Sequence, residues 1–219
     1  ELSHAVNVLG TEYLAKACGK TGTKLVMCSS DQVYFRKRGE QESMEAYLEP
    51  HREDDSETPE PLYGKQKLQG EEICLKYQPE SVVLRLSWMY DSLTENELAK
   101  GRRSLAMMLR EMLDKKQSRK FSDTDHRGAT DVNLVVKNME AAWKLSGGIY
   151  NYGSSNDADL YETVRRVMAS FGQEALAEKA TGGNVRNLMM RTDKLARHGI
   201  FFPDTAAGLE AFLRKGGAE

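Results

Sequence analysis

From Lys24 to Cys28 the chain reads Lys-Leu-Val-Met-Cys, and at Ser29 it turns polar, Ser-Ser-Asp-Gln-Val-Tyr34. The apolar run has the length and composition of a buried strand. Ser30 then falls just past the carboxyl end of that strand, which is where open α/β sheets build their sites. Farther on, Tyr63-Gly-Lys-Gln-Lys67 places a phenol and an ammonium four residues apart. On a helix that spacing brings both side chains to one face, about one turn from each other.

Groups placed in this way have a chemical use. A free phenol, with a pKa of about 10, exchanges protons poorly at neutral pH. A fixed ammonium favours the phenolate and draws that value toward working pH. A Ser hydroxyl at a neighbouring strand end can hydrogen-bond the same substrate oxygen. Together the three suit proton transfer to or from a carbonyl or alcohol oxygen while hydride moves at the attached carbon. With nine Tyr in the chain and many Lys, a Tyr-x-x-x-Lys spacing also arises by chance. Its place, one helix after a strand ending in Ser-Ser-Asp, is what gives it weight.

The 219 residues suffice for one large domain or for a core domain with a smaller lobe. Hydrophobic residues make up 40% and charged residues 29%, the balance of a soluble globular chain. A net charge of -2 argues against nucleic acid or an anionic membrane surface as the main partner. No apolar run approaches the ~18 residues needed to cross a bilayer, and no signal peptide is visible. Cys18, Cys28 and Cys74 lack metal-ligand spacing and read as reduced, mostly buried thiols of a cytoplasmic protein. His4, His51, His126 and His198 are scattered, so no protein metal site is expected. A loosely held Mg²⁺ that bridges subunits or a diphosphate stays open.

Along the chain, 2–19 is a helix candidate with Val6, Leu9, Tyr13, Leu14 and Ala17 as its apolar stripe and Gly19 as its stop. Residues 35–60 are polar, carry Arg36-Lys-Arg38 and many carboxylates, and read as a solvated mobile loop. A helix over 61–77 carries Tyr63 and Lys67, and a strand over 81–86 begins with β-branched residues. In 102–116 the stripe of Leu105, Met108, Leu109 and Met112 reads as core. Asp131 reads as the N-cap of a helix through Leu145, followed by a strand over 149–152. A helix over 157–171 and two short helices close the chain.

Read in order, Asn7-Val-Leu-Gly-Thr11, Leu25-Val-Met-Cys-Ser-Ser-Asp31, Glu53-Asp-Asp55, Pro61-Leu-Tyr-Gly-Lys-Gln-Lys67, Gly70-Glu71, Leu84-Arg-Leu-Ser-Trp-Met-Tyr90, Arg127-Gly-Ala-Thr130, Gly148-Ile-Tyr-Asn-Tyr152 and Arg186-Asn187 resemble a known family. It is the extended short-chain dehydrogenase/reductases, and within them the dTDP-4-dehydrorhamnose reductases. The resemblance implies a Rossmann-like, doubly wound parallel α/β sheet with a smaller α/β substrate-binding lobe. Residues 1–86 and 131–153 would form the remainder of the dinucleotide-binding domain, and 87–130 with 154–219 the lobe. No G-x-x-G-x-x-G or G-x-G-x-x-G occurs, so by analogy the Gly-rich turn and the ribose-reading residue lie before Glu1.

The resemblance also implies site residues. Ser30, Tyr63 and Lys67 would be catalytic. Cys28, Ser29, Leu86 and Ser87, with Tyr63 and Lys67, would line an NADP(H) or NAD(H) cofactor. Asp31, Gln32, Trp88 and Arg127 would meet a nucleotide-sugar substrate, Trp88 by burying the C–H face of a pyranose. Asn7 would support the site or be an ordinary polar position, and Arg186 would contact a nucleotide diphosphate or lie exposed. A homodimer is implied. Ala129 stands where the family has Pro, and 186–191 departs from the family's Arg-Pro opening.

Among the chemistries of such enzymes, dehydration is disfavoured: Gln32 stands where 4,6-dehydratases carry a Glu, and an amide cannot take a proton from carbon. Reduction of the C4 keto group of a nucleotide-linked deoxysugar is the expected activity. The alternatives are a nucleotide-sugar epimerase, or a non-catalytic regulatory subunit like the β subunit of methionine adenosyltransferase, which acts by binding another protein.

Overall fold

Three parallel strands, β1 (Val26–Ser30), β2 (Val82–Leu86) and β7 (Gly148–Tyr152), pair in the order β1-β2-β7, with strands numbered along the chain. Ser30 lies beside Leu86, and Leu86 beside Tyr152, so the three carboxyl ends finish level. The computed structural model describes residues 2–55, 58–92, 97 and 99–215. Both faces of the sheet are covered, which is why its strands are apolar on successive positions rather than on alternate ones. On one face Met27 and Val83 pack with Cys74, Leu25, Leu75 and Ile149. On the other Val82, Leu84, Tyr150 and Tyr152 pack with Val135, Ala142, Leu145, Leu195 and Ile200.

The first face is covered by two helices. One, α1, is continuous through Leu2–His4, a π-helical turn at Ala5–Leu9, and Gly10–Thr21. The other, α3, is Leu62–Tyr77; a short α2, Met44–Tyr47, precedes it. The expected stripe on α1 is turned outward: Val6, Leu9, Tyr13 and Leu14 are exposed, while Val8 and Ala15 are buried. Small residues decide the contact. A Cβ on Gly19 would lie 2.2 Å from the Tyr77 carbonyl oxygen, and one on Gly70 would lie 3.2 Å from that of Asn7. Gly19 is therefore a point of close approach and not a stop. The helix runs on to Thr21 and ends at Gly22, whose φ of 66° is the left-handed conformation that glycine adopts freely.

Residues 35–55 and 58–60 depart from the expected mobile loop. His51 bridges Met190, its amide donates to the Met189 carbonyl at 2.8 Å, and Asn187 Nδ2 donates to the Tyr47 and Glu49 carbonyls, each at 2.8 Å. The Arg36 guanidinium forks onto Glu42 at 2.7 Å. Backbone hydrogen bonds made far along the chain hold the segment, although it carries little apolar surface.

Asp131 caps its helix as expected, accepting from the Asn133 amide at 2.8 Å. That helix is divided at Asn138 into α5 (Val132–Lys137) and α6 (Met139–Trp143). The lobe buries Leu105, Leu109 and Met112 of α4 (Leu105–Lys115) against Val164, Val167 and Met168 of α7 (Leu160–Ala169) and Leu209 and Leu213 of α8 (Thr205–Lys215). Three further parallel pairs form: β3 (Trp88–Tyr90) with β6 (Ala129–Asp131) and β4 (Arg119–Ser122) with β8 (Ala177–Ala180), which both contribute to this core, and β5 (Asp125–Arg127) with β9 (Arg186–Leu188), whose Leu188 packs with Val33, Tyr34 and Met190. Of the segment assigned by resemblance to the lobe, Leu195, Ile200 and Phe202 pack on the three-stranded sheet instead.

Candidate active site

Ser30 ends β1 and caps the 3₁₀ turn Asp31–Tyr34, its Oγ accepting from the Gln32 amide at 3.2 Å. The start of α3 is laid against that turn. A Cβ on Gly64 would sit 2.3 Å from the Gln32 carbonyl oxygen and 2.9 Å from Pro59 Cβ. Only a glycine lets the helix approach this closely, and the approach is what sets Tyr63 beside Ser30. Gly64→Ala is expected to push the helix start outward, costing about 1–3 kcal/mol of stability and most of any activity that needs the Tyr63–Ser30 contact. Thermal melts and a turnover assay of the purified variant check both effects.

The Tyr63 phenol lies near enough to Ser30 and Asp31 for both to act on its proton. Ser30 Oγ in turn donates to Asp31 Oδ1 at 3.1 Å, and Arg127 Nη2 donates to Asp31 Oδ2 at 3.1 Å. The Arg127 guanidinium lies 4.9 Å from the Trp88 ring centroid. Gln32 Nε2 also reaches Asp31, at 3.3 Å. The structure thus brings Ser30, Asp31, Gln32, Tyr63, Trp88 and Arg127 into one cluster, built from the sheet on one side and the lobe on the other. Lys67 stands beside it on α3, with Nζ donating to the Cys28 carbonyl at 3.1 Å and lying 5.7 Å from the Tyr63 ring centroid. Tyr63 is 45% exposed, so its ring borders open space.

The electrostatics correct one expectation. Burial pushes the Tyr63 phenol above the ordinary range, the nearby Ser30 hydroxyl offsets this only in part, and the Asp31 charge adds to the rise. Lys67, whose ammonium donates to the Cys28 carbonyl and lies 5.7 Å from the ring centroid, does not outweigh that burial here. Asp31, deeply buried, is likewise raised by desolvation, against the pull of Arg127, Ser30 and Gln32.

The other residues named from the sequence are placed differently. Ser29 is buried and bonds Glu71 on α3, and Ser87 is buried against Thr130, with 2.6 Å between their hydroxyl oxygens. Neither hydroxyl faces open space. Leu86 packs with the core on the face of the sheet away from α3. Cys28 is exposed, against the expectation of buried thiols, and only Cys74 of the three is fully buried. Asn7 Nδ2 donates to Gln66 Oε1 at 3.0 Å and so braces α3 from behind. Arg186 is committed to Asp125, at 3.0 and 2.6 Å, and is neither free for a diphosphate nor simply exposed.

One group beneath the site escaped sequence reasoning. Arg85 Nη2 donates to Glu71 Oε2 at 2.7 Å, and Arg85 Nη1 to the Tyr34 hydroxyl at 2.7 Å. Tyr34 donates to Asn151 Oδ1 at 2.7 Å, and Asn151 Nδ2 holds the His51 and Arg191 carbonyls at 3.0 Å each. The network ties α3, β2, β7 and the 51–53 segment together under Ser30. An Arg in an otherwise apolar strand was the available signal, since a buried charge needs a partner.

Among the described residues no group of three or more His, Cys, Asp or Glu could hold a metal ion, so Mg²⁺ has no protein-built site there. No helix among them is long and apolar enough to cross a membrane. The nicotinamide end of a dinucleotide fits the residues present: an exposed phenol, an ammonium one helical turn away, and the exposed Cys28 strand edge beside them.

The family model described as RmlD substrate binding domain matches residues 1–188. A dTDP-4-dehydrorhamnose reductase of Mycobacterium tuberculosis is 32% identical over 105 residues, 48% of this chain and 33% of that protein. Methionine adenosyltransferase 2 subunit beta of Xenopus tropicalis is 32% identical over 217 residues, 91% of this chain and 60% of that protein. The chain therefore spans a third to three-fifths of these two relatives' length. The crystal structure of a Bacillus anthracis dTDP-4-dehydrorhamnose reductase in complex with NADP superposes with a TM-score of 0.74 at 17% identity, covering 98% of this chain and 72% of that one. Its likeness extends to the fold.

Proposed function

The chain belongs to the RmlD substrate-binding domain family, and from that premise we propose that it serves the NAD(P)H-dependent reduction of the C4 keto group of a nucleotide-linked deoxysugar. The observation that carries this reading is the convergence of Tyr63, Ser30 and Lys67 at the carboxyl end of β1, with Trp88 and Arg127 facing them from the lobe. The cofactor, when bound, supplies the hydride. Tyr63 donates the proton to the oxygen that becomes an alkoxide. The phenol enters the step carrying its proton at neutral pH, as a reduction requires. Lys67, one helical turn from Tyr63, holds the cofactor ribose. Ser30 bonds the reacting oxygen, for which it must turn its proton away from Asp31. Gln32 offers no carboxylate beside the site, which supports reduction over dehydration. A cytoplasmic homodimer belongs to the same reading.

A second reading has its own support. The Xenopus tropicalis β subunit aligns with 91% of the chain, against 48% for the mycobacterial reductase. A regulatory subunit would bind the cofactor without turning it over. The test is oxidation of NADPH and of NADH by the full-length protein in the presence of dTDP-4-dehydrorhamnose. Turnover supports the reductase. Tight NADPH binding without oxidation, together with co-purification of a methionine adenosyltransferase catalytic subunit, supports the regulatory reading.

A further inference from the structure

The Trp88 ring is already occupied. It packs against the lobe core, and the Arg127 guanidinium lies over it, its carbon 4.9 Å from the ring centroid. That is inside the ~6 Å over which an aromatic face holds a cation. Asp31 holds the same guanidinium from the sheet side, accepting from Nη2 at 3.1 Å. The Arg127 backbone is fixed as well, opposite Leu188 in the β5–β9 pair and with its carbonyl accepting from Asn156 Nδ2 at 2.9 Å. Only 3% of the Asp31 side chain and 13% of the Arg127 side chain are exposed. Parting the two would strand a buried carboxylate, a costly step. A sugar can therefore lay its C–H face on Trp88 only by displacing a guanidinium that is held from two sides.

Arg127 has donors to give instead. A guanidinium carries five N–H groups and accepts nothing. Asp31 takes one of them, and Nε is buried with no acceptor among the described residues. A buried donor left unmatched is unfavourable, so the surroundings place this group without satisfying it. We propose that Arg127 is the specificity-determining residue that meets the substrate from the lobe, donating to an acceptor oxygen of a nucleotide-linked sugar. Trp88 is then a positioning residue, which acts through Arg127 by holding the guanidinium flat. The ligand this selects presents an oxygen, on the sugar or on its diphosphate, where a stacked pyranose would present C–H groups. A guanidinium suits the place because its planar fork lies on an indole and donates along its edge at once, which an ammonium cannot do. The class of ligand rests on the function proposed above; the covered ring does not.

The test measures binding of dTDP-glucose, which has no keto group to reduce, and of dTDP to the full-length protein by calorimetry. Arg127→Met keeps an unbranched side chain over the indole and removes every donor. It is expected to weaken dTDP-glucose binding about 10- to 100-fold, the scale of a hydrogen bond from a charged group. An equal loss for dTDP places the oxygen on the diphosphate, and a loss confined to dTDP-glucose places it on the sugar. Trp88→Leu is expected to weaken binding in the parent and to cost clearly less in the Arg127→Met background, because its effect passes through Arg127. An equal cost in the two backgrounds, or parental binding of both ligands by Arg127→Met, would overturn the proposal. If that variant does not fold, Arg127→Lys, which keeps a charge for Asp31 and loses the planar fork, is measured in its place and is expected to weaken binding too. NMR of the unsubstituted protein gives a second reading: contacts between the Arg127 side chain and the Trp88 ring should persist in the dTDP-glucose complex, and sugar protons against the indole in their place would also overturn it. If the parent binds neither ligand, the nucleotide-sugar reading fails together with the ligand assigned to Arg127; equal Trp88 costs in a protein that binds them remove this inference alone.

Discussion

Tyr63→Phe should lower turnover by about 10²- to 10⁴-fold, the usual contribution of a positioned general acid, and leave the Kd for NADPH nearly unchanged. The hydroxyl removed is the group assigned to give the proton, since Ser30 donates its own to Asp31. The ring itself stays, and with it the packing that seats α3 on the Gln32 carbonyl. A loss in kcat with cofactor affinity intact separates a chemical role from a structural one. Turnover of the variant within a few-fold of the parent would remove Tyr63 from the mechanism.

Glu71→Ala should cost about 3–5 kcal/mol of folding stability, the penalty of leaving one member of a buried ion pair alone. Arg85 and Glu71 are both almost fully buried and meet through three hydrogen bonds, one of 2.7 Å and two of 3.1 Å. Without Glu71 the Arg85 charge has no carboxylate partner and Ser29 loses its acceptor as well. Replacing both charges, as Glu71→Leu with Arg85→Met, should recover part of the loss and not all of it, because Arg85 also donates to Tyr34. Urea unfolding of the three variants gives the comparison; a loss below about 1 kcal/mol in Glu71→Ala would mean that the pair is solvated and that the network does not hold the sheet end.

Local signals were enough to read the parts of the fold that local chemistry decides. A short apolar run ending in Ser-Ser-Asp announced β1, and the Tyr63–Lys67 spacing announced the one face of α3 on which both residues lie. Asp131 caps its helix through a contact two residues away, so the sequence alone carries it. What could not be read depends on neighbours far along the chain. Periodicity shows that α1 has an apolar face, but the face that meets α3 is chosen by where Gly19 and Gly70 let backbones touch, and the larger apolar side chains are left outside. The order around 47–51 comes from hydrogen bonds to residues 187–191, more than a hundred positions on. The phenol of Tyr63 shows the same limit: spacing locates the ammonium, and only the packed structure shows that burial outweighs it.

The proposed chemistry rests on hydride arriving at a sugar carbon while Tyr63 protonates the oxygen on it. The direct measurement incubates the full-length protein with dTDP-4-dehydrorhamnose and NADPH carrying deuterium at nicotinamide C4, each face labelled in turn, and examines the product by NMR. The expected result is deuterium at C4 of the sugar from one labelled face and none from the other, with no product from Tyr63→Phe. Oxidation of the cofactor with no deuterium in the sugar, or full labelled product from Tyr63→Phe, would contradict it.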